Sequence, residues 1–303
     1  METLAPGVHY FDLHFHNRVR AIACVLLQGP GGVTLLDPGP TSTLPTVRQT
    51  LDAAGMALSD VTNILLTHIH LDHAGSVGTL VREHPHIQVY VHERGVQHLI
   101  DPSKLLASAG RLYGDLMDRL WGEVAPVPPT SLVALAGGER LAVSGRLLDV
   151  EYTPGHASHH VSYFSSETGV AFVGDTAGIR PSPHGFVLPP TPPPDIDLDL
   201  WMRSLDTIGR WQADTLLLTH FGAHQGSAPH LAELRDHLDL VSGLARRSLA
   251  IDGEDSAKEQ WFVDELRREL RKRLNEVDAA RYETSGRFDL NWRGLARYWR
   301  KRQ

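Results

Sequence analysis

The stretch Thr67-His68-Ile69-His70-Leu71-Asp72-His73-Ala74-Gly75 places three histidines and one aspartate within six positions. It directly follows the largely apolar run 61–66, which predicts a buried strand. Neutral imidazole and carboxylate groups are ligands that zinc and neighbouring divalent metals take in proteins. Alternate side chains of an extended segment point the same way, so His68 pairs with His70, and Asp72 and His73 follow as a second pair. This short loop therefore predicts ligands for two metals.

A metal pair needs further ligands from elsewhere in the chain. Three residues of suitable chemistry each stand in a loop after a strand-like run, namely His156, Asp175 and His220. Loops at strand ends carry function disproportionately, because a rigid scaffold positions them. The only thiol is that of Cys24, which excludes a structural zinc site built from several cysteines.

This pattern resembles that of the metallo-beta-lactamase superfamily, in which an HxHxDH sequence is followed by a further His, Asp and His. The resemblance covers roughly residues 8 to 226 and implies an α/β (α+β) fold, the four-layer αββα sandwich. It also implies two Zn²⁺ per chain, with Fe or Mn as alternatives. Carried over residue by residue, the ligands of the first metal would be His68, His70 and His156. Those of the second would be Asp72, His73 and His220, with Asp175 bridging the two metals.

A short internal repeat supports the same fold. Ile64-Leu65-Leu66-Thr67-His68 reads almost the same as Leu216-Leu217-Leu218-Thr219-His220. The repeat indicates an internal duplication in which each half delivers a Thr-His pair at a strand end. The sandwich of the superfamily is similar, since its two halves are related by a pseudo-twofold axis with the metals at the seam.

Three polar residues are candidates for supporting the metal loop or contacting substrate. Asp37 precedes Pro38-Gly39, so it either supports the metal loop, as the superfamily implies, or merely opens a turn. His160 resembles a position that the superfamily often fills with a supporting histidine. His224 is a candidate substrate contact.

Residues 101–131 interrupt the alternation of strands and helices with a helical apolar pattern. This insertion is either a cap over the metal site, lined with Tyr113, Met117 and Trp121, or ordinary helix packing. Residues 181–194 contain seven prolines and should form a stiff loop. That loop is either a wall of the substrate pocket, with His184 and Phe186 facing the substrate, or a surface spacer.

The rest of the chain alternates between strand-like and helical segments. Gly and Pro residues between two apolar runs predict a hairpin of the strands 21–28 and 33–37. A further strand is predicted over 87–92. Apolar spacing predicts helices over 43–54, 76–83, 198–211 and 228–245.

Length and composition favour a globular chain with a large domain over 1–250 and a helical extension over 251–303. The apolar residues of the extension would cap the body, form a pocket wall or make a homodimer contact. Neither a signal peptide nor a membrane span is visible, and the lone cysteine agrees with a cytoplasmic location. The net charge of −7 makes a nucleic-acid partner unfavourable and leaves a small molecule as the expected one.

The resemblance implies a dinuclear hydrolase in which a metal-bridging hydroxide attacks the carbonyl of a small ester, thioester or lactone. Asp72 is the catalytic candidate, because it lies where it could orient that hydroxide or accept its proton. The chain is similar to glyoxalase II in its metal loop but has Gly174-Asp175-Thr176-Ala177-Gly178 where that family continues Gly-Asp-Thr-Leu-Phe. Acyl-homoserine lactonases carry a pocket tyrosine, which here would have to come from the insertion, as Tyr113. A mononuclear iron enzyme of the sulfur dioxygenase type and a metallo-ribonuclease are the alternatives.

Overall fold

The computed structural model describes residues 1–182 and 185–302, so the predicted role of His184 lies outside the described residues. The N-terminal half of the chain forms a seven-stranded sheet in which the strands follow one another in sequence order. These strands are β1 (Glu2–Ala5), β2 (Val8–Asp12), β3 (Ala23–Gly29), β4 (Gly32–Leu36), β5 (Val61–Leu65), β6 (Gln88–His92) and β7 (Leu132–Leu135). The first four pair antiparallel, and β4 to β7 pair parallel.

A second sheet of six strands follows, in the spatial order β13-β12-β11-β10-β9-β8. Its strands are β8 (Arg140–Val143), β9 (Arg146–Tyr152), β10 (Val161–Ser165), β11 (Val170–Phe172), β12 (Thr215–Leu218) and β13 (Gly222–Gln225). All of its pairs are antiparallel except β11 with β12, which is parallel.

The helices lie on the outer faces of the two sheets. Those of the N-terminal half are α1 (Leu44–Ala53), α2 (Leu71–Ala74), α3 (Val77–Glu83), α4 (Glu93–Ile100), α5 (Ser103–Tyr113) and α6 (Met117–Trp121). Those of the C-terminal half are α7 (Leu198–Arg210), α8 (Ser227–Leu249), α9 (Asp255–Arg271), α10 (Glu276–Gly286) and α11 (Phe288–Arg300). No helix of the described chain is both long and apolar enough to cross a membrane.

Three apolar clusters define the layers. One joins the first sheet to helices of the N-terminal half, and a second fills the space between the sheets, where Leu36 and Leu65 meet Phe172 and Leu217. The third joins the second sheet to α7, α8 and the C-terminal helices. The predicted αββα sandwich with a helical appendage is therefore correct, because each sheet buries one face on the other sheet and one on helices.

Two of the parallel strand pairs, β4 with β5 and β11 with β12, bring candidate ligands to one edge of the sandwich. In the first sheet, β4 is followed by Asp37 and β5 by Thr67-His68. In the second sheet, β11 is followed by Asp175 and β12 by Thr219-His220. Parallel neighbours end at the same edge of a sheet. Each half therefore places an aspartate and a Thr-His pair at the edge where the two sheets meet. This arrangement agrees with the predicted internal duplication.

Candidate metal centre

The metal loop begins where β5 ends. His68 and His70 lie on the extended segment before α2, and Asp72 and His73 lie on that helix of only four residues. His68 and His73 are fully buried, whereas the side chain of Asp72 is 28% exposed. The extended segment and the short helix thus direct two pairs of side chains into the same space, as the spacing predicts.

Three histidine nitrogens converge in what we call the first cluster, which consists of His68, His70 and His156. The His70 Nδ1 atom lies 2.9 Å from His68 Nε2 and 3.0 Å from His156 Nε2. A divalent metal with imidazole ligands fits this geometry, because the three nitrogens face one common point and neutral imidazoles offer lone pairs.

The second cluster consists of Asp72, His73 and His220. The Asp72 Oδ2 atom lies 3.3 Å from His220 Nε2 and 3.9 Å from His73 Nε2. A set of one carboxylate and two imidazoles suits zinc and several other divalent metals.

Asp175 lies between the two clusters. Its Oδ2 atom is 3.4 Å from His156 Nε2, in the first cluster. Its Oδ1 atom is 3.4 Å from His73 Nε2 and 3.5 Å from His220 Nε2, in the second. Both Asp175 Oδ1 and His73 Nε2 are buried, and neither has a hydrogen-bond partner within 1–182 and 185–302. Buried polar atoms are costly without partners, so these orphaned atoms fit residues that hold a metal.

Hydrogen bonds to the outer ring nitrogens set the tautomers of three histidines. His156 Nδ1 donates to the Pro190 carbonyl at 2.8 Å, and His220 Nδ1 donates to the Ala21 carbonyl at 2.6 Å. His73 Nδ1 lies 2.8 Å from Asp37 Oδ2. Each contact leaves Nε2 as the ring nitrogen directed into the cluster, which is how partners outside a metal site orient histidine ligands.

Asp37 does more than open a turn. Its carboxylate is fully buried and accepts hydrogen bonds from the Thr67 amide at 2.8 Å and the Thr67 hydroxyl at 2.7 Å. It also accepts from the Thr219 hydroxyl at 2.9 Å. Through these bonds and the contact with His73, one side chain ties the metal loop to the corresponding loop of the second sheet.

His160 supports the backbone beside Asp175. Its Nε2 atom accepts a hydrogen bond from the Asp175 amide at 3.2 Å, and its Nδ1 lies 3.0 Å from Thr153 Oγ1. Gly174 is in the left-handed region at φ 47°, and a Cβ there would lie 2.6 Å from both the Thr67 hydroxyl oxygen and His160 Nε2. Only glycine fits, so this residue lets the chain deliver Asp175 to the seam.

The first cluster is electrically neutral at ordinary pH. Burial, then the neighbouring histidines, hold the pKa of His68 well below its usual value. Burial and then His156 lower the pKa of His70 to about 4, and burial lowers that of His156. All three rings are therefore ready to bind a metal without first losing a proton.

The second cluster carries protons when no metal is bound. Burial disfavours a charged His73, but Asp37, Asp175 and Asp72 together outweigh it and raise its pKa well above the usual value. Burial likewise opposes charge on His220, while Asp175 and Asp72 raise its pKa. A metal that binds here must displace those protons.

We therefore expect acid to affect the two clusters differently. Between about pH 8 and pH 6, zinc affinity of the second cluster should fall, because zinc must displace protons from histidines of raised pKa, while that of the first cluster should change little. Zinc titrations of the metal-free protein by calorimetry, in buffers of different ionisation enthalpy, measure affinity and proton release together. Equal proton release for both binding events would contradict this expectation.

A cavity of about 310 Å³ opens onto the candidate ligands. The insertion contributes part of its wall, including Tyr113 and Trp121 but not Met117. The proline-rich loop contributes Pro190 and its neighbours, and the C-terminal extension contributes a third part. The insertion and the extension thus both line this cavity, and we refer to the insertion as the cap; the extension also packs on the body.

Two expected substrate contacts lie elsewhere. Phe186 is buried in the core, where its ring stacks on His237 with centroids 3.5 Å apart, so it does not face the substrate. His224 lies on β13, where its Nε2 atom is 3.3 Å from the Phe221 carbonyl oxygen and its ring centroid 5.6 Å from that of His230. It is not among the residues that line the cavity.

The cavity also contains residues for which the sequence provided no signal. Arg94, Lys104, Arg287 and Asn291 all line it, from α4, α5 and the beginning of α11. None belongs to a motif, and only Arg94 closely follows a strand, two residues after the end of β6. Only the packing of the cap and the extension brings them together.

A family model described as the metallo-beta-lactamase superfamily matches residues 17–220. The chain is 32% identical over 145 residues to the metallo-beta-lactamase fold-containing protein ST1585 of Sulfurisphaera tokodaii, covering 47% of this chain and 53% of that protein. It is 28% identical over 151 residues to a hydroxyacylglutathione hydrolase of a Synechococcus species, covering 50% of this chain and 47% of that protein. The chain thus spans about half the length of these relatives.

Solved structures share the fold over a much greater length. A metallo-beta-lactamase family protein of Thermus thermophilus, TTHA1429, has a TM-score of 0.73 and 24% identity, covering 99% of this chain and 95% of that chain. The structure of ST1585 from Sulfolobus tokodaii has a TM-score of 0.63 and 21% identity, covering 95% of this chain and 98% of that chain. The match to TTHA1429 therefore extends over the C-terminal helices as well.

Proposed function

This chain belongs to the metallo-beta-lactamase superfamily, and from that premise we propose that it is a metallohydrolase holding two divalent metals, most simply Zn²⁺. We propose a small ester, thioester or lactone as its substrate. Relatives named hydroxyacylglutathione hydrolase favour thioesters within this group.

The position of Asp175 is the main support for two metals. Its two carboxylate oxygens face different clusters, with Oδ2 near His156 and Oδ1 near His73 and His220. A carboxylate that served one metal alone would not need a histidine partner on each side. The first cluster and the second cluster would then each hold one metal, and Asp175 would bridge the pair.

The bound metals would supply an activated water and polarise the carbonyl oxygen of the substrate. Asp72 lines the cavity and lies beside His220 of the second cluster. Its carboxylate is positioned to accept a proton from a water bound at that cluster. Despite burial, His73 and then His220 hold the pKa of Asp72 below its usual value, so the carboxylate is ionised and can accept a hydrogen bond from such a water.

Tyr113 of the cap is a candidate hydrogen-bond donor to the substrate. Burial first, and then the negative charge of Asp72, raise the pKa of its hydroxyl. The hydroxyl therefore keeps its proton at neutral pH and can donate a hydrogen bond to charge that develops on the substrate.

The shape and charge of the site favour a small molecule over RNA. The cavity of about 310 Å³ is enclosed by the cap, the proline-rich loop and the extension. A nuclease groove would need to be open and lined by many cations, whereas this chain has a net charge of −7.

The test is acid release by the zinc-loaded protein in a pH-stat, across thioesters, esters, lactones and phosphodiesters. We expect turnover of at least one acyl class and none of the phosphodiesters, and metal analysis should give two metals per chain. Turnover of phosphodiesters alone would contradict the acyl assignment. Oxygen consumption with thiol substrates by a form that holds one iron would replace it with the sulfur dioxygenase alternative.

A further inference from the structure

We propose that the substrate carries an anionic group, a carboxylate or a phosphate, which Arg94 and Lys104 bind at the mouth of the cavity. This inference rests on the proposed function, since it describes the part of the substrate remote from the carbonyl that is cleaved.

Two neighbouring helices place positive charge at one side of the cavity. Arg94 lies in the first turn of α4, and His98 lies one turn further on the same face. Lys104 lies in the first turn of α5. All three side chains line the cavity, and Arg94 and Lys104 are exposed. We call these three residues the cationic rim.

The two permanent cations of the rim are free to bind a ligand. In the described parts of the chain, neither Arg94 nor Lys104 has a carboxylate within ion-pair distance, and the Arg94 guanidinium carbon lies 5.6 Å from the centroid of the Tyr152 ring. By contrast, Arg287 elsewhere in the cavity forms two hydrogen bonds with Asp289, at 2.8 and 3.0 Å.

Three acids also line this cavity, of which Asp72 and Asp175 belong to the candidate ligands and Asp195 does not. Asp195 accepts a hydrogen bond from the Ser158 hydroxyl at 2.7 Å. It forms no ion pair with a rim residue within 1–182 and 185–302. Among the lining residues outside the candidate ligands, Arg94 and Lys104 outnumber Asp195, and Arg287 is paired with Asp289. This part of the lining therefore has a net positive charge, although the whole chain carries −7.

The layout of the cavity separates the anion from the reacting carbonyl. Most of the candidate ligands are buried, whereas Arg94 and Lys104 are exposed, and Leu105, Ala109 and Trp121 add an apolar wall from the cap. A substrate with its carbonyl at the metals and an apolar body along this wall can place its anionic group at the cationic rim. Guanidinium and ammonium groups bind carboxylate and phosphate through charge-assisted hydrogen bonds.

The turnover test compares three thioesters with the zinc-loaded protein. Butyryl-N-acetylcysteamine is neutral, succinyl-N-acetylcysteamine carries its anion on the acyl side, and butyryl-N-acetylcysteine carries it on the leaving group. We expect at least one anionic thioester to have the higher kcat/KM. The double variant R94Q/K104Q should lower that kcat/KM about tenfold, or roughly threefold per cation, mainly through KM. The neutral thioester should be unaffected.

The matched control is Arg111→Gln, which removes an exposed cation from the same helix as Lys104 at a position outside the cavity. This variant should leave all three rates unchanged. A wild-type protein that prefers the neutral thioester, or an anion preference that survives in R94Q/K104Q, would overturn the proposal.

A binding test keeps the proposal independent of turnover. Calorimetry measures the affinity of the metal-free full chain for octanoate, octyl phosphate and octanol. These three ligands share one apolar tail. We expect one of the anions to bind more tightly than octanol, and R94Q/K104Q to lose that difference. Equal binding of all three would overturn the anion site, whereas absence of thioester hydrolysis with anion-selective binding would contradict only the proposed function.

Discussion

Replacement of Asp175 by alanine is expected to abolish metal pairing and nearly all turnover. The carboxylate contacts histidines of both clusters, so its loss removes a ligand from each metal. Loss of a partner that merely orients a ligand typically costs 10–100-fold, so loss of a direct ligand should lower kcat at least about a hundredfold. Metal analysis after equilibration with zinc should fall from two metals per chain to one or fewer.

The control is Asp239→Ala, which removes an exposed aspartate from α8, far from the ligands in sequence. It should retain both metals and the full rate. If Asp175→Ala bound two metals and turned over at the wild-type rate, the assignment of Asp175 as the bridge would be wrong.

The substitution Asp37→Asn is expected to weaken the second metal selectively, although Asp37 is not itself a proposed ligand. The Asp37 carboxylate accepts from His73 Nδ1, which leaves Nε2 free for a metal. An amide nitrogen at this position would donate to Nδ1 instead and move the histidine proton to Nε2. We expect zinc affinity at the second cluster to fall about 10–100-fold, with the first cluster much less affected.

The same substitution should lower the stability of the metal-free protein. The buried carboxylate also accepts from the Thr67 amide and from the hydroxyls of Thr67 and Thr219. Hydrogen bonds to a charged group contribute more to stability than those between neutral groups. We therefore expect the free energy of unfolding to fall by about 2 kcal/mol. Competition with a chromophoric chelator measures the affinities, and urea denaturation measures stability. Equal weakening of both metals would show that Asp37 acts through general destabilisation rather than through His73.

The clustering of the candidate ligands could be predicted from the sequence, because these residues follow strand ends. The HxHxDH loop, His156, Asp175 and His220 each stand after a strand, and parallel strands bring such loops to one edge. The hairpin of β3 and β4 was equally predictable, since glycines around the turn permit backbone angles such as φ 100° at Gly32. The fold and the ligand set therefore depend largely on local patterns that a single sequence carries.

The substrate side of the cavity could not be predicted in this way. Arg94 and Lys104 are ordinary helical cations until the cap packs over the metal site. Phe186 was misjudged because a proline-rich loop was expected to be superficial, whereas its central residues enter the core beneath α8. Such placements depend on tertiary packing between segments that are distant in sequence, and no local periodicity encodes them.

The apolar cluster that joins the second sheet to the helices has a thermodynamic consequence. Its members come from both parts of the chain, from Ala171 to Ala296, and Thr191 of the proline-rich loop donates its amide to the Asn291 side chain at 2.8 Å. The neighbouring Pro190 carbonyl orients His156. We therefore propose that 1–250 and 251–303 unfold cooperatively, as one unit rather than as independent domains. The C-terminal helices thus help to hold the proposed metal ligands in place, although they contribute none of those ligands.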